Sequence, residues 1–241
     1  MDLLNFDVIR SYGYVLLQGL GNTILLTLIV IVLAGLLAIP LALVRTSRVW
    51  ALRLPFEAFV EIIRGTPLIL QLFYVYYVLP SAGVQLDPFA AAVVALTMNY
   101  TAYLSEVYRG GIKSIPEGQR NAAAALGMTP MKAFIRIILP QAFKVVTPTL
   151  GNYFIALFKD TALASVVTVN ELLYTGNLVS SSTYQYFTVY TVTGILYFVA
   201  GFPAALFVRY LERRMHNKRL ERPTAAKPHI VDAIEARGCS R

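Results

Sequence analysis

An uncharged stretch begins at Asn22 and reads NTILLTLIVIVLAGLLAIPLALV up to Val44. Roughly 20 apolar residues are enough for an α-helix to cross the hydrocarbon core of a bilayer. The absence of charge extends from Ser11 to Val44 and recurs from Leu172 to Val208, and only Asp87 interrupts it between Gly65 and Ser105. Each stretch is long enough to span a bilayer, so the sequence predicts an integral membrane protein.

The overall composition also argues against a water-soluble protein. Of the 241 residues, 57% are hydrophobic and 14% are charged, and the mean hydropathy is +0.61. A soluble domain carries roughly a quarter charged residues. The formal charge of +8 comes from basic residues between and after the apolar stretches, where they suit phospholipid headgroups or an anionic partner surface. We therefore expect membrane lipids, and no nucleic acid, as partners.

The fold predicted from these stretches is an all-α integral membrane protein with about five transmembrane helices. Helices satisfy their own backbone hydrogen bonds, which a lipid environment requires. The predicted spans are Asn22–Val44, Phe56–Leu79, Pro88–Tyr108, Pro148–Val167 and Tyr186–Tyr210.

A ridge of small residues lies on the first predicted helix. Ala34, Ala38 and Ala42 are spaced four residues apart, and such a ridge lets another helix approach closely. The neighbouring helix can belong to the same chain or to a second subunit, and the sequence leaves both alternatives open.

The distribution of Lys and Arg predicts the orientation of the helices, because cytoplasmic connections carry an excess of both. Basic residues follow the first, third and fifth predicted helices, whereas the connections Pro80–Asp87 and Thr168–Gln185 contain none. The amino terminus is therefore expected outside and the carboxyl terminus in the cytoplasm. The predicted organisation is an external segment (1–21), a transmembrane domain (22–214) and a cytoplasmic polar tail (215–241) that we expect to be disordered.

A cytoplasmic helical hairpin, about residues 115–141, is predicted between the third and fourth spans. Glu117 opens its first helix, Gly127 ends that helix, and Thr129 caps a second helix. The second helix is expected to end at Leu139 and Pro140. Its apolar stripe consists of Met131, Phe134, Ile135 and Ile138. This amphipathic, basic hairpin can lie on the anionic membrane surface or dock into a groove of a soluble partner.

The spacing within this hairpin resembles the EAA loop of ABC importer permeases. That loop usually reads E-A-A, three residues, G, nine residues, I, one residue, L-P. The matching positions are Asn121, Ala122, Ala123, Gly127, Ile137, Leu139 and Pro140. The one departure is Asn121, which stands where the family usually has Glu. The resemblance implies that these residues couple the chain to an ATPase.

Further stretches, taken in order, resemble the polar amino-acid permeases of the histidine, glutamine and arginine type. They are EIIRGTPL from Glu61, AY from Ala102, RGGI from Arg109, GQ from Gly118, LPQA from Leu139 and FKDT from Phe158. The resemblance implies a permease subunit that forms half of the translocation pore of an ATP-driven importer. Its substrate is expected to be a polar amino acid or a similar zwitterion.

The same resemblance implies three protein partners. They are a cytoplasmic ABC ATPase dimer, a second permease subunit, and an external or periplasmic solute-binding protein. The expected location is the bacterial cytoplasmic (inner) membrane, which the chain crosses several times. Which amino acid is transported, and whether the two permease subunits are identical, stay open.

No catalytic machinery is evident in the sequence. A phosphate-binding loop requires G-x-x-x-x-G-K-[ST], and the nearest approach, the segment from Gly110 to Ser114, lacks a Gly directly before Lys113. We therefore expect no cofactor in this chain and assign ATP and Mg²⁺ to the partner ATPase. The two histidines, His216 and His229, lie beyond the last span, and neither a catalytic nor a metal site is predicted.

Polar residues inside the predicted spans are the candidates for the substrate pathway. They are Glu61, Arg64, Asn99, Lys159 and Asp160. Charged side chains cost several kcal/mol, by order of magnitude, when they face lipid, so they normally point into the protein or into a pathway. A zwitterionic substrate would need charges of both signs along its route. The structural alternatives are a Glu61–Arg64 ion pair three residues apart on one helix and simple packing of Asn99.

Two details accompany these charges. Pro67 follows Arg64 closely and is expected to kink the second helix, because it lacks an N–H donor. Lys159 is expected to pair with a carboxylate, either that of Glu61 or that of the substrate.

Two other functions are compatible with buried charges in a membrane protein. One is an ion-coupled secondary transporter, although inverted repeats and an even number of helices often mark that class and neither is found here. The other is a membrane assembly or sensor subunit that transports nothing.

Overall fold

The computed structural model describes residues 4–47 and 49–220, with side chains up to residue 210. No β-strand occurs in this part of the chain. Its helices are α1 (Phe6–Arg45), α2 (Trp50–Gly65), α3 (Leu68–Phe73), α4 (Pro88–Lys113), α5 (Glu117–Ala125), α6 (Pro130–Ala133), α7 (Leu139–Asp160), α8 (Leu172–Thr183) and α9 (Tyr186–Leu220). Two π-helical turns (Tyr74–Val78 and Phe134–Ile138) and two 3₁₀ segments (Leu79–Ala82 and Thr161–Val167) connect some of them.

Helix α1 begins at Phe6, well before the predicted start at Asn22. Asn5 caps it, because its side-chain oxygen accepts hydrogen bonds from the backbone N–H groups of Asp7 at 3.0 Å and Val8 at 3.4 Å. Part of the segment predicted to precede the first helix is therefore helical.

The second predicted span is interrupted in its middle. Helix α2 meets the segment Leu68–Ala82, which begins with α3, at an angle of 108°, and this is a break rather than the kink expected at Pro67. Thr66 is extended, with φ −113° and ψ 144°. A residue before proline avoids the helical region because the proline ring crowds its backbone. The position of the interruption was predicted correctly, but its size was not.

Helix α4 lies at the centre of the bundle and packs closely against α1. Asp87 caps its amino terminus by accepting hydrogen bonds from the N–H groups of Phe89 and Ala90. The ridge of Ala34, Ala38 and Ala42 is fully buried within the chain, and two of these alanines belong to the same core cluster as alanines of α4. The ridge therefore serves packing inside the subunit, and its interpretation as a seam between subunits is wrong.

The second helix of the hairpin was predicted to end at Leu139 and Pro140, and this prediction is wrong. The second arm of the hairpin passes through the π-helical turn Phe134–Ile138 directly into α7, and Pro140 lies in the first turn of α7. Proline has no N–H group to donate, and it follows the π-helical turn, where the regular α-helical hydrogen-bond pattern is already interrupted. Helix α7 thus starts before the predicted Pro148 and ends at Asp160, where a 3₁₀ segment continues to Val167.

The last part of the described chain contains two helices instead of one. Helix α8 occupies most of the predicted connection Thr168–Gln185, and α9 runs from Tyr186 to Leu220. The start of the predicted disordered tail is therefore helical. Residues 221–241 lie outside the described residues.

Three described helices, Phe6–Arg45, Pro130–Val167 and Tyr186–Tyr210, are long and apolar enough to cross a membrane, and the bent pair α2 and α3 provides a fourth candidate. The count of five spans is not confirmed on this basis, because α4 is not among them. Helix α4 ends with Glu106, Arg109 and Lys113, which lower its hydropathy. Since many of its other residues are buried by neighbouring helices, α4 needs less apolar surface than a helix that faces lipid.

The close approach of α1 to α8 generates a prediction about Gly19. A Cβ atom at Gly19 would lie 2.7 Å from Thr175 Oγ1 and 3.1 Å from the carbonyl oxygen of Glu171, whereas a Cβ atom at Gly21 would meet nothing within 4 Å. We expect Gly19→Ala to destabilise the protein by about 1–3 kcal/mol through overpacking. Gly21→Ala should be neutral or slightly stabilising, because Ala favours helices. The measurement is the thermal unfolding midpoint in detergent, and equal midpoints for the two variants would contradict this packing.

Candidate translocation route and hairpin

Arg64 stands at the carboxyl end of α2, beside an aromatic side chain of α4. Its guanidinium carbon lies 5.6 Å from the ring centroid of Tyr103, a distance that permits a cation–π interaction. Arg64 Nη1 is also 3.7 Å from Glu61 Oε1. The Glu61 side chain is 70% exposed, so this ion pair is weak, and Arg64 keeps donors for another partner.

Three tyrosines connect the surroundings of Arg64 to Asp160. The ring centroids of Tyr103 and Tyr153 are 6.1 Å apart, and those of Tyr153 and Tyr100 are 6.3 Å apart with the rings nearly perpendicular. Tyr100 donates its hydroxyl hydrogen to Asp160 Oδ2 at 2.7 Å. We call this set, from Arg64 through Tyr103, Tyr153 and Tyr100 to Asp160, the charged tyrosine row. It places a cation at one end and a carboxylate at the other, with aromatic faces between them.

Lys159 is exposed on α7 and lies outside this row. It makes no ion pair within the described residues, and the carboxylate of Glu61 contacts Arg64 instead. The expected Lys159–Glu61 contact is therefore wrong. Adjacent helical residues point about 100° apart, which is why Asp160 can face Tyr100 while Lys159 does not.

Asn99 is almost completely buried, with 5% of its surface exposed. Its side-chain nitrogen donates to Gln71 Oε1 at 2.9 Å, so the structure places Asn99 against α3. Gln71, which the sequence interpretation missed, is equally buried and contacts the break between α2 and α3. The available signal was a lone amide side chain soon after Pro67 in an otherwise apolar segment.

A second charge cluster joins the end of α1 to α4, and it places Glu106, a weaker sequence candidate for the pathway with packing as its alternative, in packing contacts that the sequence did not predict. Arg45 Nη1 lies 2.9 Å from Glu106 Oε2 and donates to Ser105 Oγ at 3.2 Å. Arg109 also pairs with Glu106, and its Nε donates to Glu106 Oε2 at 3.1 Å. The Arg45 side chain is only 4% exposed. The sequence interpretation counted Arg45 as a loop residue that sets topology, whereas it is a buried link between two helices.

Glu171 is a fully buried carboxyl group at the start of α8. It accepts hydrogen bonds from the N–H groups of Leu173 at 2.8 Å and Tyr174 at 2.6 Å, and from the Tyr197 hydroxyl at 2.6 Å. Burial raises the pKa of Glu171, and the hydrogen bonds act in the opposite direction. The group caps α8 and ties it to α9, because every one of these donors belongs to one helix or the other.

Between α4 and α7 lie the short helix α5 and the short helix α6, which leads through the π-helical turn into α7. The carboxyl end of α5 is closed by hydrogen bonds from the Gly127 N–H to the Ala124 oxygen at 2.9 Å and from the Met128 N–H to the Ala123 oxygen at 3.0 Å. This is a Schellman motif, which requires a left-handed residue. Gly127 supplies it with φ 69°. We refer to residues 115–141 as the hairpin.

The predicted apolar stripe of the hairpin is divided between two faces. Ile138 is buried in a cluster with Ile112, Ile115 and Ala142, and Phe134 packs against that cluster. In contrast, Met131 and Ile135 are 67% and 53% exposed. One face therefore attaches the hairpin to α4 and α7, and the other is open.

The residues of the predicted coupling motif fall on both faces. Ala123 is buried, Ile137 and Leu139 are partly buried, and the exposed members are Asn121, Ala122, Gly127 and Pro140. Asn121, where the loop resembled usually has Glu, therefore lies on the open surface. No cluster of residues suited to a metal ion occurs in the part of the chain that the structure describes.

The helical bundle, its buried charges and its helical hairpin define a membrane protein whose helices enclose polar groups. Comparison with known families makes this more specific. Residues 31–217 match the model of the binding-protein-dependent transport system inner membrane component, and the chain belongs to this family. This membership supports the transport subunit over the ion-coupled and non-transporting alternatives.

Individual relatives agree with the family assignment over most of their length. The chain is 41% identical to the L-cystine transport system permease protein TcyB of Bacillus subtilis (strain 168), over 86% of this chain and 88% of that protein. It is 38% identical to the probable glutamine ABC transporter permease protein GlnM of the same organism, over 88% and 98% of the two chains. The crystal structure of an amino acid ABC transporter with histidines superposes with a TM-score of 0.82 at 34% identity, covering 88% of this chain and 99% of that one.

Proposed function

We propose that this chain is the permease subunit of an ATP-driven importer for a polar amino acid or a similar zwitterion. It forms half of the pore with a second permease subunit, receives substrate from an external solute-binding protein, and is driven by a cytoplasmic ATPase dimer that uses ATP and Mg²⁺. The observation that carries the substrate class is the charged tyrosine row. The names of the relatives, which refer to L-cystine and glutamine transport, support the same class.

The charged tyrosine row offers a cationic and an anionic partner to the two charges of an α-amino acid. Those two charges are carried by neighbouring atoms of the substrate, so the substrate meets Arg64 and Asp160 in turn along the route. Arg64 offers a planar set of N–H donors for a carboxylate. At the other end Asp160 offers a carboxylate for an ammonium group, and the tyrosine faces between them attract cations weakly. Tyr100 hydrogen-bonds only one oxygen of Asp160, so the other can accept a hydrogen bond from a substrate. Lys159 adds a second positive charge on the exposed side of α7.

Neutralising the two α7 charges tests this route. We expect Asp160→Asn and Lys159→Gln to leave assembly and basal ATP hydrolysis intact. Asp160→Asn should lower amino-acid uptake roughly tenfold or more, because it removes a charge-assisted contact, and Lys159→Gln should lower it less, because it removes an exposed charge outside the charged tyrosine row. Lys144→Gln is the matched control, because it removes a lysine charge from the opposite end of α7. The measurement is uptake of labelled amino acid into liposomes that contain the complete complex.

Two results of that experiment would count against the route. Normal rate and apparent affinity in assembled Asp160→Asn and Lys159→Gln complexes would show that these charges lie off the path. A loss confined to assembly would instead assign them a structural role.

The open face of the hairpin is the proposed docking site for the ATPase. Its exposed apolar residues are Leu126, Met131 and Ile135, and Lys132 and Arg136 are exposed beside them. An apolar helix face that lacks a partner suits a groove of a soluble protein. Because the opposite face is anchored on α4 and α7, a push on the hairpin would move α7, which carries Asp160.

Gly127 provides a test of this coupling. We expect Gly127→Leu to uncouple ATP hydrolysis from transport, because a side chain at φ 69° costs about 1 kcal/mol or more and misdirects the second arm. Gly118→Leu is the control, since Gly118 is in the same hairpin, and a Cβ atom there meets nothing within 4 Å. The measurement is the number of amino acids imported per ATP hydrolysed. Full coupling in Gly127→Leu would contradict the role of the hairpin.

The proposed orientation has the amino terminus outside, the hairpin and carboxyl terminus in the cytoplasm, and the chain in a bacterial inner membrane. Basic residues are concentrated on the hairpin side. Tyr184, Tyr186 and Tyr190 are exposed at the junction of α8 and α9, as expected for an aromatic belt at the outer interface.

A further inference from the structure

The break between α2 and α3 leaves backbone acceptors without helical donors. Pro67 has no N–H and Thr66 is extended, so the last carbonyl groups of α2 lose their normal partners. Two side chains replace them. The Thr66 hydroxyl donates to the Ile62 oxygen at 2.9 Å, and Gln71 Nε2 lies 2.7 Å from the Ile63 oxygen, 3.2 Å from the Thr66 oxygen and 2.9 Å from Thr66 Oγ1. Because unsatisfied backbone groups are costly away from water, this amide stabilises the broken conformation.

Helix α4 holds that amide in place. Asn99 Nδ2 donates to Gln71 Oε1 at 2.9 Å, which leaves Gln71 Nε2 directed at the break. Only 5% of either residue is exposed. We call Gln71 and Asn99 the amide clamp.

The clamp is adjacent to one end of the charged tyrosine row on both helices that it joins. On α2, Arg64 directly follows Ile63, whose oxygen accepts the shortest of the Gln71 hydrogen bonds. On α4, Tyr103 lies four residues after Asn99, and residues at this spacing share a helix face. The ring that faces the Arg64 guanidinium at 5.6 Å and the Asn99 amide that orients Gln71 therefore belong to the same surface of α4.

We propose that Gln71 and Asn99 are positioning residues for Arg64. By fixing the Ile63 and Thr66 oxygens relative to α4, the clamp holds the Arg64 guanidinium against Tyr103, where it receives the carboxylate of the amino acid. The proposal rests on the proposed route, and it assigns specificity for an α-carboxylate to two residues that do not touch the substrate.

The test is a double-mutant cycle on the assembled complex of permease and ATPase. The probe is whichever of L-glutamine, L-arginine, L-histidine and L-cystine the reconstituted complex imports fastest. Its apparent Kd is read from ligand-dependent thermal stabilisation without the solute-binding protein. We expect Arg64→Gln to weaken binding roughly tenfold or more and Gln71→Leu to weaken it by a comparable factor. The double variant should bind no more weakly than Arg64→Gln alone, because the clamp acts through Arg64.

Two further variants keep the test decisive. Asn99→Ala releases Gln71 while leaving its hydrogen bonds to α2 possible, and it replaces Gln71→Leu in the cycle if that variant fails to assemble. Thr97→Val is the control on the same helix, because the buried Thr97 hydroxyl has no hydrogen-bond partner in the described structure. It should leave the Kd unchanged.

The outcomes separate this proposal from the route on which it rests. If Arg64→Gln weakens binding while the clamp variants leave the Kd unchanged, or if the two effects multiply in the double variant, the positioning role is overturned and the route stands. If Arg64→Gln itself leaves the Kd unchanged, the route assignment fails and the positioning role falls with it.

Discussion

The absence of hydrogen-bond partners in lipid is the constraint on which this structure depends. Every interruption of a helix within the membrane must be satisfied by the protein itself. At the break between α2 and α3, Gln71 supplies the missing donor and Asn99 orients it. At the start of α8, in the connection predicted to lie outside the spans, the buried Glu171 meets the same need, because it accepts hydrogen bonds from the free N–H groups and from a tyrosine hydroxyl of α9. These interactions allow a helical bundle to contain bends that a lipid-exposed helix could not keep.

Buried charged side chains must likewise find their partners within the protein. Arg45 and Glu106 neutralise each other where α1 ends beside α4, so their role is to hold the two helices together. The charged tyrosine row differs, because its cation and its carboxylate stand at opposite ends and do not neutralise each other. Two separated charges connected by aromatic rings are poorly explained by packing alone, and a zwitterionic substrate moving along the row would meet a complementary charge at each end. The distinction depends on geometry, since both sets consist of the same residue types.

The sequence was sufficient for the features that depend on composition and local chemistry. Uncharged stretches predicted a helical membrane protein, Pro67 marked the interruption of the second span, and Gly127 marked the turn of the hairpin. Spacing in the hairpin and in neighbouring motifs led to the family that the comparison confirmed. Each of these features depends on residues close together in the sequence, so it can be predicted without knowing which helices are neighbours.

Features that depend on tertiary contacts were not predictable in the same way. Asn5 caps α1 and explains its early start. The continuation of this helix through the predicted boundary at Asn22 has no strong signal in the sequence. The division of the hairpin stripe into Ile138 inside and Met131 outside requires knowing that α4 and α7 flank it. Asn99 was recognised as a polar residue in a span, yet its partner Gln71 belongs to another helix. A polar residue alone does not reveal whether it faces a pathway or a neighbour.

The central claim is that this chain contributes half of a pore in which transport is driven by ATP hydrolysis in a partner. The most direct measurement is uptake of a labelled polar amino acid into liposomes that contain this chain with its ATPase and solute-binding protein. The account predicts uptake that requires ATP inside the liposome, stops when the ATPase or the binding protein is omitted, and persists when an uncoupler collapses ion gradients. Uptake by this chain alone, driven by an ion gradient and abolished by the uncoupler, would contradict it.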